Sequence, residues 1–419
     1  MFKDRVVDYL FILLNEISYC YETSYVHYKS PDFSEQSIRF DFKRYIKNLW
    51  RLFKRRFFSI SYIHFEVNKQ THDLPLNRPK VLHIIRHLEI GGSQKIVFDL
   101  IRFLSNRYHQ AVLTGYIPRL CSYSGLECMV SNSTKEIMDY LNDFSPHIVH
   151  IHYWELDEWM EDVINILRDL KNSLNFKIIE NCNNPIPPFD CDEIDKYIFV
   201  SRFVKNLQKP PQPPNKTAII YPGVNMEEFN FNINNNRDPY SIGLIYRLTD
   251  DKISRDTIDT LIKLCKEIPR LTIHIIGHGP NFRYYAKRCR EARVRNQFVF
   301  AGMIEYSQLS RYYERFHLFL APVHHESYGV VVPYALAKGV YVIAYDTQCL
   351  EELVGTKEYL STSEDDLIAK VKRFMDPPCN DITILKSNRE RAESLFSLEK
   401  MLKDYLTIYD DLFKELPST

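Results

Sequence analysis

The chain has 419 residues, 45% of them hydrophobic and 26% charged, with 54 basic and 54 acidic side chains in balance. That length implies two or three domains, each able to bury its own core. The balance of charge excludes a chain that holds nucleic acid through bulk positive charge.

The 9 cysteines are odd in number, scattered and outside any Cys-x-x-Cys spacing. A disulfide framework or structural zinc is not expected, and a reducing compartment is. No run reaches the ~18 apolar residues that span a bilayer. The opening MFKDRVVDYLFILLNE has an apolar patch interrupted by Asp8 and closed by Asn15 and Glu16, so no signal peptide is expected.

Residues 1–78 read as an extension, of which 1–38 carry no legible pattern. RFDFKRYIKNLWRLFKRRFF, Arg39 to Phe58, reads as one amphipathic helix. At 100° per residue Phe42, Ile46, Trp50 and Phe53 share one face, and Lys43, Lys47, Arg51 and Lys54 the other. Such a helix suits a membrane interface, or equally a helix packed on the first domain with a solvated basic face.

From Lys80 onward strands and helices alternate, which predicts α/β domains with parallel sheets. Residues 79–230 form the expected first domain. KVLHIIRHL opens it, Gly91-Gly92 breaks the chain, and Ser93 is the expected cap of the next helix. QAVLTGY, HIVHIHYW, FKIIENC, KYIFVS and TAIIYPGVN are further strands. The Asn-rich stretch 231–240 is the expected linker. Residues 241–395 restart the alternation with YSIGLIYRL and end it with YVIAY, the last strand expected. Ser397 should cap a closing helix within 396–419 that crosses back to the first domain. Ligands of two such domains bind between them, off the carboxyl ends of the strands.

Three places carry chemistry. Gly91 and Gly92, between a strand and a helix, let backbone approach a ligand at a helix N-terminus, or simply make a tight turn. Arg247 and Lys252 in YRLTDDK could neutralise a diphosphate, or be a solvated loop paired with Asp250 and Asp251. Glu326 precedes Ser327-Tyr328-Gly329, where free amides at a helix start near Val330 would face a phosphate. Pro333 is compatible only with a first turn there, and Gly339 is a suitable stop. The adjacent pair His324-His325 lacks the spacing of a metal site. Cys182 and Cys191 read as ordinary buried residues.

Taken in order, HLEIGGSQKIVFDL, HIVHIHYW, YIFVSRFVK, IIYPGVNMEEF, LIYRLTDDK, IHIIGHGP, FVFAGMI and ESYGVVVPYALAKGVYVIAY resemble the retaining GT-B glycosyltransferases of family 4. The resemblance runs from about Lys80 to Leu412, roughly four-fifths of the chain. It implies two Rossmann-like doubly wound domains facing a cleft. It also implies transfer of a sugar from a nucleoside-diphosphate sugar to a saccharide or polyprenyl-linked acceptor, with retention and with no bound metal or cofactor. Arg247 and Lys252 fall on the family's diphosphate pair, and Glu326 on the first glutamate of its Glu-x7-Glu motif. Ser327, Tyr328, Gly329 and Val330 fall on the phosphate turn, Gly91 and Gly92 on the glycine loop, and Gly277 and Gly279 on the base side. His150 and His152, alternating on one strand, resemble the acceptor-side histidine, with sheet packing as the other reading. The expected setting is the cytoplasmic side of a membrane, in the assembly of capsule, lipopolysaccharide or a similar surface glycan.

Four positions depart from the family. Tyr334 replaces the second glutamate, which in the family grips two ribose hydroxyls; a phenol cannot chelate both. Tyr246 replaces the glycine of Gly-Arg-Leu. Asn181 or Asn183 stands where a histidine is usual, and Pro222 replaces an asparagine. Glu326, Arg247 and Lys252 favour an enzyme. Tyr334 and Tyr246 favour the alternative, a non-catalytic GT-B subunit of a glycan-assembly complex.

Overall fold

The computed structural model describes residues 25–29, 36–40, 46, 63–66, 78–89, 91–118, 121–153, 157–189, 192–209, 211–233 and 237–417. In the extension, β1 (Tyr25–Lys29) and β2 (Gln36–Phe40) pair antiparallel. Arg39 and Phe40 therefore belong to a strand and not to the expected helix. Of the rest of that helix only Ile46 is described, and it is helical and exposed; the remainder lies outside the described residues. β3 (Ile63–Glu66) was not legible in the sequence, because its pairing partner lies more than fifty residues away.

The first domain holds β4 (Lys80–His87), α1 (Gly92–Leu104), β5 (His109–Tyr116), β6 (Cys121–Ser124), β7 (Cys128–Val130), α2 (Thr134–Phe144), β8 (Ile148–Tyr153), α3 (Glu158–Leu174), β9 (Lys177–Cys182), β10 (Lys196–Phe199), α4 (Arg202–Asn206) and β11 (Thr217–Ile219). Its sheet runs β11-β10-β9-β8-β4-β5-β7, parallel throughout, while β3 pairs with β6. Local chemistry sets the helix ends. Ser133 and Asp157 accept from Glu136 N and Met160 N, and Ser145 and Asn175 close α2 and α3 in the left-handed conformation. The cap of α1 differs from expectation. Gly91 takes that place in extended backbone, and Ser93 lies inside the helix.

The second domain holds β12 (Ser241–Ile245), α5 (Thr257–Glu267), β13 (Thr272–Ile276), α6 (Phe282–Glu291), β14 (Phe298–Gly302), α7 (Tyr306–Tyr313), β15 (Leu318–Ala321), α8 (Val331–Ala337), β16 (Tyr341–Tyr345), α9 (Leu350–Val354), β17 (Leu360–Ser361), α10 (Glu364–Met375) and α11 (Ile382–Phe396). Its order β14-β13-β12-β15-β16-β17 is that of a doubly wound sheet. Its central strands β12, β15 and β16 are almost wholly buried, as a sheet covered on both faces requires, while the edge strand β14 exposes Val299. Two-residue β17 extends the sheet past the last strand expected, being too short to show a period.

The strand order reverses between β4 and β8, and between β12 and β15. Ligands bind such sheets at these points. α12 (Leu398–Lys414), capped by Ser397, packs back on the first sheet. The Tyr409 hydroxyl meets His150 Nδ1 at 2.7 Å, and the Tyr405 hydroxyl donates to Asn181 Oδ1 at 2.5 Å. Asp410 accepts from Arg107 and from the Tyr108 hydroxyl. No described helix is long and apolar enough to cross a membrane.

Tyr409→Phe removes the partner of a buried imidazole nitrogen without opening a cavity. We expect a loss of about 1–3 kcal/mol in denaturant unfolding, the cost of an unsatisfied buried polar group.

Candidate functional site: the turn before α8

β15 ends at Ala321 and the chain turns through Glu326–Val330 into α8. Pro333 sits in the first turn of α8, as expected. The Glu326 side chain meets Lys252 Nζ at 3.0 Å, and the same ammonium donates to His325 O at 3.0 Å. Both side chains are mostly buried. Gly329 is in the left-handed region at φ +74°, and a methyl there would come within 2.7 Å of Glu326 Cγ. Glycine thus supplies both the turn and the room for the glutamate. The N–H groups of Ser327, Tyr328 and Gly329 have no acceptor among the described residues. Unpaired amides beside an ammonium make an anion-binding concavity.

Arg247 stands apart from this pair. Its guanidinium is 68% exposed and bonds Asp251 at 3.2 Å. Gly277 and Gly279 serve close packing between loops. A methyl on Gly277, at φ +133°, would lie 1.9 Å from Tyr246 O, and one on Gly279 2.4 Å from Leu248 O. The Tyr246 ring is buried, its hydroxyl has no partner, and burial raises its pKa well above the usual phenol range.

The first domain supplies the facing wall. Gly91 and Gly92 line a cavity of about 170 Å³ with Lys95, Tyr306, Val330 and Tyr334. A methyl on Gly92 would make ordinary contact with Val330 at 3.7 Å. Lys95, overlooked in the sequence, pairs with the buried Asp99 and lies 4.9 Å from the Tyr306 ring of the other domain. Its only sequence signal is a place four residues after the first glycine.

Residues 225–391 match the model of the family described as Glycosyl transferases group 1. Among curated relatives, the chain is 26% identical over 184 residues to the lipopolysaccharide core biosynthesis mannosyltransferase LpsB of Rhizobium meliloti, covering 41% of this chain and 52% of that one. It is 26% identical over 153 residues to the 2-deoxystreptamine glucosyltransferase of Streptomyces kanamyceticus, covering 36% and 40%. The chain thus spans about half or less of these relatives' length. Among solved structures, a glycosyltransferase from Rickettsia africae superposes with a TM-score of 0.67 at 16% identity, covering 81% of this chain and all of that one. Anabaena Alr3699/HepE in complex with UDP gives 0.63 at 13%, covering 79% and all of that chain. The fold is that of the GT-B glycosyltransferases.

Tyr334 faces an aromatic cluster. Its ring stacks on Phe229, 4.4 Å between centroids and 8° from parallel, with Tyr306 and Tyr313 edge-on. The side chain is 3% exposed. The phenol therefore serves packing here.

His150 and His152 do share a sheet face, and His83 of β4 joins them; all three are fully buried. Gln110 Nε2 donates to Leu100 O, which points its Oε1 at His83 Nε2, 3.0 Å away. His83 Nε2 must then carry the proton, and His83 Nδ1 accepts from His152 Nε2 at 3.1 Å. Asn183 is also buried, accepting from Asn181 Nδ2 at 2.8 Å. The ligand atoms of the three histidines lie within 4.8 Å of one another, but no carboxylate or thiolate joins the group. A dication there would sit buried among neutral ligands only, and the hydrogen bonds already made favour neutral packing. Burial lowers the His83 pKa to about 4 and those of His150 and His152 well below the usual value. On the opposite sheet face burial pushes Glu180 up to about 8, against the N–H of Phe189 that it accepts.

These shifts give opposite slopes. Unfolded histidines bind protons below pH ~6.5 and the buried ones do not, so their stabilisation is full above that value and lost as pH falls towards 4. Glu180 keeps its proton when folded, and its contribution is lost as pH rises through 8. Each differential proton gives a slope of at most about 1.4 kcal/mol per pH unit. Denaturant unfolding should show a maximum near pH 6–7, with His83→Asn flattening the acid limb and Glu180→Gln the alkaline one. At Tyr334, replacement by Phe should be nearly neutral, while Tyr334→Glu should cost about 3 kcal/mol or more by burying an unpaired carboxylate.

Proposed function

We propose that this protein transfers a glycosyl group from a nucleoside-diphosphate sugar to a hydroxyl of a saccharide or lipid-linked saccharide. The observation that carries the reading is the Lys252–Glu326 pair at a turn of unpaired amides, whose last residue, Val330, faces Gly92 of the first domain. Breaking a glycosyl phosphate builds negative charge on the diphosphate and positive charge on the sugar. Lys252 and the amides of Ser327 to Gly329 suit the first charge, and the Glu326 carboxylate suits the second. Arg247 joins them by leaving Asp251, a surface pair that costs little to break.

The bound UDP of Alr3699/HepE supports a nucleotide donor, and the printed activities of the relatives support sugar transfer. We assign family 4 chemistry, with retention and no metal, and a role in surface glycan assembly, on the order of the sequence motifs. The acceptor enters from the first domain, and the basic stretch 39–58 brings the protein to the inner face of a membrane. The second reading, a non-catalytic GT-B subunit, draws on one observation: Tyr334 is spent on packing against Phe229.

Thermal stabilisation by uridine, guanosine, adenosine and thymidine diphosphates and their sugars separates the two. The enzyme reading expects a shift with one base, lost in Lys252→Ala. Glu326→Gln should keep that shift and lose roughly 100-fold or more in transfer, as when one preorganised charge is removed. No shift with any of them at millimolar concentration would leave the non-catalytic reading.

A further inference from the structure

The turn that holds Glu326 touches the first domain directly, where the Tyr328 hydroxyl donates to Pro222 O at 2.9 Å, and is also tied to it through one short segment, Thr347–Glu352. At its start the Thr347 hydroxyl donates to His324 O at 3.3 Å. Gln348 accepts from Glu326 N at 2.5 Å through Oε1, and Cys349 Sγ donates to Tyr328 O at 3.2 Å. Gln348 does this from the left-handed region, φ +50°, which a non-glycine residue seldom occupies. The surrounding bonds hold it there.

At the segment's end Glu352 reaches across the cleft. Its carboxylate accepts from Arg202 N and Phe203 N, both at 3.0 Å, and from the Tyr221 hydroxyl at 2.8 Å. Arg202 Nε adds a contact at 3.3 Å. The Glu352 side chain is nearly buried, at 10% exposure, so these bonds act in a poorly solvated place. A second bond runs in parallel. The Ser201 hydroxyl donates to Ser327 O at 2.7 Å, one residue from Glu326.

We infer that Glu352 and Gln348 are positioning residues that make the geometry of the Glu326 turn depend on closure of the two domains. When the domains meet, the start of α4 captures Glu352, and the segment fixes the backbone of Glu326 through Gln348. When they part, Glu352 loses its donors and the turn loses its brace. The cleft then assembles its reactive carboxylate only when shut, which limits loss of an activated sugar to water. This inference rests on the glycosyl-transfer reading for its purpose, but the coupling itself can be measured without a ligand.

The test is amide hydrogen exchange of the full chain, read by mass spectrometry on overlapping peptides across 324–330 that isolate the amide of Glu326, the one bonded to Gln348. Glu352→Ala should speed exchange there by about tenfold, because local opening sets the rate. Gln348→Ala should do the same, and Tyr221→Phe less. The double variant Glu352→Ala with Gln348→Ala should be no faster than the faster single one, since both break one linkage. Should Glu352→Ala unfold, Tyr221→Phe and Gln348→Ala carry the same comparison. Unchanged exchange at 324–330 in Gln348→Ala and Tyr221→Phe, or additive effects in the double variant, would overturn the coupling. Release of UDP from UDP-glucose in water and in the presence of acceptor adds a kinetic arm. Under the coupling, Glu352→Gln lowers kcat about tenfold with KM little changed. A wild-type chain that exchanges as expected yet binds no nucleotide would sink the transfer reading and leave the coupling standing.

Discussion

Two backbone bonds fix how the molecule is put together. Val224 N donates to Phe396 O and Leu398 N to Val224 O, both at 2.8 Å, where the chain leaves one domain and returns to it. A side chain at Gly223 would collide with Leu398 Cα at 2.6 Å, so the approach is closer than any other residue allows. From that crossing α12 is launched across the first sheet, and its tyrosines cover the polar face made by His150, His152 and Asn181. The same crossing sets the carboxyl ends of both sheets against each other, and this is the condition for any site at all between them.

Much of this was legible in the sequence. Strand–helix alternation, the Gly-Gly break, Ser397 as a cap and the turn before α8 all rest on local rules: apolar period, capping oxygen, glycine and proline. What the sequence withheld was non-local. Ser93 seemed the natural cap of α1 because it carries a hydroxyl, yet the extended backbone begins at Gly91. β3 and β6 are four-residue strands whose pairing lies far apart in the chain. Gln348, Glu352 and Ser201 matter through partners 22 to 150 residues away, and nothing in their own neighbourhood announces it. Arg247 illustrates the converse, since a residue well placed by motif lies in the open, paired with Asp251.

The histidines show how burial decides between two readings of one pattern. Alternation put His150 and His152 on the same face, but it could not say whether that face met solvent, ligand or protein. α12 decides it. With the face covered, the chain from Leu100 O through Gln110 and His83 to His152 dictates the tautomers, while His150 Nε2 and His152 Nδ1 are buried without a hydrogen-bond partner. Neutral imidazoles there link folding to pH mainly through desolvation, with the neighbouring histidines adding to it.

Tyr334 belongs to the same logic. A carboxylate at this place on α8 would have Phe229, Tyr306 and Tyr313 as neighbours, and such a surrounding disfavours charge strongly. The aromatic cluster and the phenol therefore form one self-consistent choice: given Phe229 stacked at 4.4 Å, tyrosine supplies apolar area that glutamate could not. Packing gained on the hinge side of α8 is polar contact forgone on its cleft side. The wall that Tyr334, Val330 and Tyr306 offer to the cavity is correspondingly apolar, with Lys95 as its nearby charge. Under the proposed glycosyl transfer, grip on a diphosphate would come from the other end of the turn, where Lys252, Glu326 and the unpaired amides stand. This places the demand for correct geometry on the Glu326 turn itself, an element that both domains hold.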